Sequence, residues 1–230
     1  MLITKMMTNL LVFTTLTRMV ESVSVIKMLS ILLHYFKKLL PIDTYKRFRL
    51  LVKNDPYPYK GIFSQRIMDA GTFAENAHKG QTRKYTGEPY IVHPSAVAEL
   101  LRLNYKDTTE EMYMAALLHD TVEDTDATHE EIARFFGDKV SELVKGLTDV
   151  SKPEDGNRAT RKAIDRDHIA QGSKEVQTIK VFDLIHNTES IREHDPKFWE
   201  VYKLEKQDLL HVMTKVDPEI KQLAWESIKD

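Results

Sequence analysis

Apolar residues recur at helical spacing through the chain from about residue 62 onward. Phe63, Ile67 and Ala70 follow one another at intervals of four and three residues, which places them on one face of a helix. No stretch shows the alternation of apolar and polar residues that is typical of a half-buried strand. The pattern therefore predicts an all-α fold. Further predicted helices cover 95–103, 109–118, a segment from 128, 157–170, 174–192, 196–212 and a segment from 218.

Local start signals support several of these helices. Thr109 can cap the helix that follows it, because its hydroxyl can accept a hydrogen bond from a free amide of the first turn. Thr128 precedes Glu131 by three residues, which is the spacing of a capping box. Asp195-Pro196 and Asp217-Pro218 each predict a helix start, because proline fits the first turn.

The composition changes near residue 60. Residues 1–60 contain neither alanine nor glycine, and residues 54–59 hold two prolines in a predicted linker. We predict an N-terminal helical extension over 1–60 and a helical bundle domain over 61–230. No apolar run in the extension reaches the ~20 residues that span a bilayer. It is predicted to be an amphipathic helix that packs on the domain, on a second copy in a homo-oligomer, or on a membrane surface, unless the start codon is placed too far upstream.

Composition and charge narrow the possible functions. Hydrophobic residues make up 42% and charged residues 30%, the balance of a soluble globular protein. Lys and Arg number 33 against 35 acids, so no overall basic field favours a nucleic-acid partner. The chain has no cysteine, which excludes disulfides, thiolate nucleophiles and cysteine-ligated zinc, and which is compatible with the predicted cytoplasmic location. Histidine, aspartate and glutamate remain as metal ligands.

Residues 115–125 carry the strongest chemical signal. An apolar run leads directly into His119 and Asp120, and then into Glu123 and Asp124. On a helix, residues four apart share a face, so His119 would align with Glu123 and Asp120 with Asp124. Burying such groups without partners costs several kcal/mol each, and a divalent cation is a suitable partner. A helix end whose acids face water is the alternative.

Two other segments repeat parts of this arrangement. His93 stands at a predicted helix start, directly before Pro94. Asp183 ends a second apolar run, and Asn187 follows four residues later on the same face. Each of these residues has a simple structural explanation when it is considered alone.

Taken in order, these segments resemble a known family. The succession of His, His-Asp and a distant Asp resembles the HD-domain metal phosphohydrolases. The surrounding residues are similar to the RelA/SpoT-type hydrolase domain over roughly residues 62–215. The matching segments are 77–84, 87–94, 117–125, 136–140 and 146–149.

The resemblance implies roles for individual residues. It implies one divalent ion, manganese, with four ligands: His93, His119, Asp120 and Asp183. It implies that Glu123 and Asp124 orient and deprotonate the attacking water. It also implies nucleotide contacts from Arg83, Lys84 and Asn187, with added positive charge for the phosphates from Lys162 and Lys180.

The activity implied by the resemblance is hydrolysis of the 3′-pyrophosphate of (p)ppGpp to GDP or GTP and pyrophosphate. The chain ends at Asp230, so a stand-alone hydrolase without a synthetase domain is expected. Phe182 and Leu184 depart from the smaller and basic residues usual in the family, which leaves base selectivity open. Alternatives are another nucleotide substrate, such as an adenosine alarmone or NADPH, and a non-catalytic nucleotide-binding module. The turn-rich segment 148–158 is predicted either to cover the active site or to be a surface linker.

Overall fold

The computed structural model describes residues 64–229. Within this range lie ten α-helices and one 3₁₀ helix. They are α1 (Gln65–Ala77), α2 (Val92–Asn104), α3 (Glu110–Leu118), α4 (Thr121–Asp124), α5 (His129–Phe136), α6 (Asp138–Leu147), the 3₁₀ helix (Pro153–Asp155), α7 (Arg158–Gln171), α8 (Lys174–His194), α9 (Pro196–Val212) and α10 (Pro218–Ser227). The predictions for residues 1–60, including a homo-oligomer formed through them, lie outside the described residues.

The all-α prediction is confirmed, because the described part of the chain holds no strand beyond an isolated bridge between Thr82 and Pro89. The predicted start signals also act as expected. The Thr109 hydroxyl accepts from the Met112 amide, and Thr128 forms both bonds of a capping box with Glu131. No helix among residues 64–229 is both long and apolar enough to cross a membrane.

Helix α3 lies at the centre of the bundle. Every residue from Met112 to Leu118 is buried, which is expected of a helix that is apolar on all sides. Helices α1, α2 and α6 pack against it, and α8 packs against both α2 and α6. The C-terminal end of α3 therefore points into the region where α2 and α8 meet.

The helix predicted over 109–118 is confirmed as α3, but the alignment of His119 with Glu123 and of Asp120 with Asp124 assumed helical spacing beyond its end. In the structure α3 ends at Leu118 and the short α4 begins at Thr121. Two backbone carbonyls at the break form hydrogen bonds with side chains. His119 Nδ1 lies 2.8 Å from the Ala116 oxygen, and the Thr121 hydroxyl donates to the Leu118 oxygen at 2.7 Å. Such local bonds compete with the helical ladder. The break places His119 and Asp120 in a turn at the end of a buried helix.

Candidate functional site

The four predicted metal ligands converge from three helical segments. His93 lies in the first turn of α2, His119 and Asp120 follow α3, and Asp183 lies within α8. The Nε2 atom of His93 is 3.1 Å from Asp183 Oδ1 and 3.5 Å from Asp120 Oδ2. The Nε2 atom of His119 is 3.1 Å from Asp120 Oδ1 and 3.8 Å from Asp183 Oδ1. The structure thus brings together four residues that come from three well-separated segments of the sequence.

These residues fit a divalent cation. His119 is 2% exposed, and its Nε2 atom is buried without a hydrogen-bond partner. The other ring nitrogen lies against the Ala116 carbonyl, so in the neutral ring Nδ1 carries the hydrogen and Nε2 offers a lone pair to the cluster. His93, His119 and Asp120 each offer a ligand atom within 4.8 Å of the others. Two imidazoles with carboxylates form a donor set that suits a divalent first-row metal.

A buried histidine that sequence reasoning missed supports His93. The Nδ1 atoms of His93 and His186 are 2.8 Å apart, so one ring must donate to the other. If His93 Nε2 is the ligand atom, its Nδ1–H donates and His186 accepts. Burial lowers the pKa of both rings, which keeps the pair neutral. The position of His186 three residues after Asp183 on the same helix is the signal that could have found it.

Asp183 links the cluster to two further side chains. Its Oδ1 accepts from the Asn187 amide at 2.7 Å, and its Oδ2 lies 2.9 Å from Lys180 Nζ. Burial alone would raise the pKa of Asp183, but Lys180 and the two histidines hold it well below the usual range. The carboxylate is therefore charged and fixed on both oxygens. Asn187 in turn accepts from the Arg83 guanidinium at 2.7 Å.

Tyr90 fixes the other carboxylate. Its hydroxyl donates to Asp120 Oδ2 at 2.7 Å, and its ring stacks on His78 with centroids 4.6 Å apart. Burial and the nearby Asp120 charge raise the pKa of Tyr90, so the hydroxyl keeps its proton. Sequence reasoning did not assign this contact to Tyr90, because the pairing depends on the tertiary structure.

The acidic pair predicted to handle the water has raised pKa values. Burial, followed by the charge of Asp149, raises the pKa of Glu123 to about 7. Burial and Asp120 raise the pKa of Asp124. A carboxylate that titrates near the working pH is suited to accepting a proton from water. The Glu123 carboxylate is also oriented, since its Oε2 accepts from the Asp149 backbone amide at 3.1 Å.

The segment that follows α6 contacts the site through its first few residues. One Asp165 oxygen accepts from the Val150 and Ser151 amides at 3.0 and 2.9 Å, and the other accepts from the Ser151 hydroxyl at 2.9 Å. Lys162 lies 2.6 Å from Asp149, so this predicted phosphate contact is engaged with a carboxylate, as Lys180 is. Asp165 therefore anchors the segment whose Asp149 amide donates to Glu123.

A cavity of 230 Å³ lies on the Asn187 side of the metal cluster. The Arg83 guanidinium lies 5.7 Å from the Tyr90 ring centre and is held by Asn187, while Lys84 is exposed beside Tyr85. A fixed, flat cation is suited to stacking on a planar ring or pairing with phosphate. The cavity is lined by Thr82, Arg83, Lys84, Tyr85, Thr86, Tyr90, Asn187, Ser190 and Ile191.

The charge of His119 predicts a pH-dependent metal affinity. Burial would lower the pKa of this ring, but Asp120 and Asp183 outweigh it and raise the pKa to about 10. In the metal-free protein the ring is therefore protonated, and a metal must displace that proton. We expect the Mn²⁺ affinity to rise about tenfold per pH unit between about pH 6.5 and 8.5. Calorimetric titration at several pH values measures this slope.

Control and stability measurements accompany that titration. His211→Gln, an exposed ring on α9, should leave the slope unchanged. Because the pKa of His119 in the folded protein exceeds the ordinary imidazole value of 6.5, the charged ring stabilises the metal-free protein fully below pH 6.5, and this stability is lost as the pH rises through about 10. A metal affinity that does not change with pH would contradict the assignment of His119 as a ligand that loses a proton when the metal binds.

Comparison with known proteins agrees with this geometry. The HD domain family matches residues 70–209. The guanosine-3′,5′-bis(diphosphate) 3′-pyrophosphohydrolase MESH1 of Danio rerio is 34% identical over 142 residues, which cover 61% of this chain and 77% of that protein. The MESH1 protein of Mus musculus is 33% identical over 147 residues, covering 64% and 80% respectively. A guanosine-3′,5′-bis(diphosphate) 3′-pyrophosphohydrolase of Aquifex aeolicus is 49% identical over 89 residues, only 12% of its length.

A solved structure shows the same architecture. It is described as a metazoan ortholog of SpoT that hydrolyses ppGpp, and it superposes with a TM-score of 0.65 at 27% identity. The superposition covers 72% of this chain and 94% of that chain. The family match over residues 70–209 includes the segments that supply the convergent histidines and aspartates. The chain therefore belongs to the HD domain family, within the group that includes the MESH1 proteins.

Proposed function

We propose that this chain is a metal-dependent hydrolase that removes the 3′-pyrophosphate from (p)ppGpp and releases GDP or GTP. The observation that carries the proposal is the convergence of the His93 and His119 imidazoles with the Asp120 and Asp183 carboxylates, in which the buried His119 Nε2 makes no hydrogen bond. The MESH1 relatives, which are named for this activity, support the substrate.

We infer that the ion is Mn²⁺, held by His93, His119, Asp120 and Asp183. Mixed imidazole and carboxylate ligands are compatible with this ion. When bound, the ion lowers the pKa of a coordinated water from ~15.7 towards ~7 and neutralises phosphate charge. The hydrogen bonds from Tyr90 to Asp120 and from His93 to His186 hold the ligands in place for it.

Glu123 is the proposed proton acceptor. Its carboxylate takes a proton from the attacking water, with Asp124 beside it as the second acid of the pair. The water oxygen forms a bond to the phosphorus attached to the ribose 3′ oxygen. The bond between that phosphorus and the 3′ oxygen breaks, its electron pair stays on the ribose oxygen, and that oxygen takes up a proton. The products are GDP or GTP, now with a free 3′ hydroxyl, and pyrophosphate.

Arg83, Lys84 and Asn187 are the proposed nucleotide contacts. The Arg83 guanidinium, fixed by Asn187, offers a flat cationic surface for the base. The exposed ammonium of Lys84 can reach phosphate oxygens. Lys162 and Lys180 are proposed to add positive charge near the phosphates, although each also neutralises a carboxylate in the structure.

The test is product analysis of the purified full chain with Mn²⁺ and a panel of ppGpp, ppApp, NADPH and deoxynucleoside triphosphates. We expect release of GDP and pyrophosphate from ppGpp, abolished by EDTA. If a different member of the panel alone is hydrolysed, that compound replaces ppGpp as the assigned substrate, and the proposed metal site still stands. Failure to hydrolyse any member would favour the non-catalytic binding module.

A further inference from the structure

A second and larger cavity lies between α7 and α9. Its volume is 460 Å³, twice that of the cavity around Arg83. Three lysines, Lys162, Lys180 and Lys206, line it together with Arg166. Nothing in the sequence pattern singled out Lys206, which lies on the amphipathic helix α9.

This cavity and the Arg83 cavity reach the metal cluster through different oxygens of Asp183. Lys180 is shared between the cavity lining and the cluster, because its Nζ lies 2.9 Å from Asp183 Oδ2. Asn187 binds the other oxygen of the same carboxylate and lines the Arg83 cavity. Asp149 also lines the larger cavity, and its backbone amide holds Glu123. The two cavities thus flank Asp183.

Among residues 64–229, the charges of the lining leave one lining cation without a carboxylate partner. The lining acids Asp149, Asp165, Glu205 and Asp208 each pair with a lysine or arginine, and the remaining acid, Glu200, is exposed. Within residues 64–229, no carboxylate lies within 4.0 Å of Lys206; its Nζ lies 4.7 Å from the Tyr202 ring centre instead. Burial and the nearby Lys180 lower its pKa to about 8. A partly buried cation in this setting favours an anionic ligand.

We propose that this cavity is the subsite for the terminal phosphate of the substrate's 3′-diphosphate, and that Lys206 binds that phosphate. The inference rests on the function proposed above. With the base beside Arg83 and the reacting phosphorus at the cluster, the terminal phosphate extends away from the ribose, towards Lys180 and Lys206. The 5′-diphosphate stays on the nucleoside side. Lys206 then selects diphosphate esters over monophosphate esters.

Product inhibition separates the two diphosphates. Inhibition by pyrophosphate measures binding at the proposed subsite, whereas inhibition by GDP measures binding of the base and the 5′-diphosphate. In the Mn²⁺-loaded full chain, we expect Lys206→Met to weaken pyrophosphate inhibition by roughly 10- to 100-fold, the range for a lost hydrogen bond to a charged group. Inhibition by GDP and by orthophosphate should stay within about twofold. Lys206→Arg should retain pyrophosphate inhibition. Lys106→Met, which removes the same charge from an exposed position after α2, should behave like the wild type.

Two outcomes would overturn the inference: unchanged pyrophosphate inhibition in Lys206→Met, or a loss of GDP inhibition equal to the loss for pyrophosphate. If the wild-type chain does not hydrolyse ppGpp, the proposed function is wrong and the subsite can still be tested. Calorimetric titration of the Mn²⁺-loaded protein with pyrophosphate measures the same binding without turnover. A comparable affinity in Lys206→Met and wild type in that titration would refute the subsite itself.

Discussion

Replacing Glu123 with glutamine is expected to lower kcat for ppGpp hydrolysis by about 10²- to 10⁴-fold, the usual contribution of a positioned general base. Glutamine keeps the size of the side chain, and its oxygen can still accept a hydrogen bond from the Asp149 amide. It cannot take a proton from water. The metal should remain, because Glu123 is outside the proposed ligand set. Steady-state kinetics and metal content measured on the same preparation test both statements.

A matched control removes an acid of the same type elsewhere. Glu130→Gln changes an exposed residue in the first turn of α5 and should leave kcat unchanged. Full activity in Glu123→Gln would show that another group accepts the proton. Because burial raises the pKa of Glu123 from 4.5 to about 7, the folded protein loses stability as the pH rises between these values, and the loss is complete above pH 7. Glu123→Gln should therefore raise the Tm of the metal-free protein at pH 8.

Removal of Asp183 should abolish metal retention and activity together. Outer-shell partners of metal ligands typically contribute 10- to 100-fold to metal affinity, and a ligand itself contributes more. We therefore expect Asp183→Ala to weaken Mn²⁺ binding by more than about 100-fold. The variant also leaves Lys180 without its nearest carboxylate, which costs stability because an unpaired buried charge is unfavourable.

The measurement must separate metal loss from unfolding. Metal content and calorimetric affinity are compared with circular dichroism melting, and the melting is repeated for Asp183→Asn, which keeps the side-chain shape. Asp167→Ala, an exposed residue of α7, serves as the control for loss of an aspartate. A folded Asp183→Ala protein that retains Mn²⁺ with normal affinity would exclude Asp183 from the ligand set.

The sequence predicted the helices well where their boundaries depend on neighbouring residues. The Thr109 and Thr128 caps and the Asp195-Pro196 start are local features, and each forms in the structure. The four donors could be named because the ordered segments resemble a family. Their convergence follows from the packing of α8 against α2, which no local signal describes.

The remaining features depend on tertiary contacts. His186 acquires a role only because α8 brings its Nδ1 within 2.8 Å of His93. The helix break after Leu118 could not be predicted from a glycine or proline, since the sequence has neither there. Side chains that form hydrogen bonds with helix carbonyls are found at the break instead. Lys206 has the spacing of an ordinary solvated lysine on an amphipathic helix. Its isolation from carboxylates is visible only once α7 and α9 are placed.

The anchoring of the segment after α6 by Asp165 divides the site into two parts of different local stability. The proposed metal donors are fixed by helices α2, α3 and α8, whereas the orientation of Glu123 depends on a backbone amide held near α7 by Asp165. We expect local opening of α7 to release Glu123 while the proposed metal donors stay in place. Such an opening would leave a folded protein that can bind the metal but lacks the oriented acid. The fraction of molecules in that state would lower turnover independently of metal occupancy.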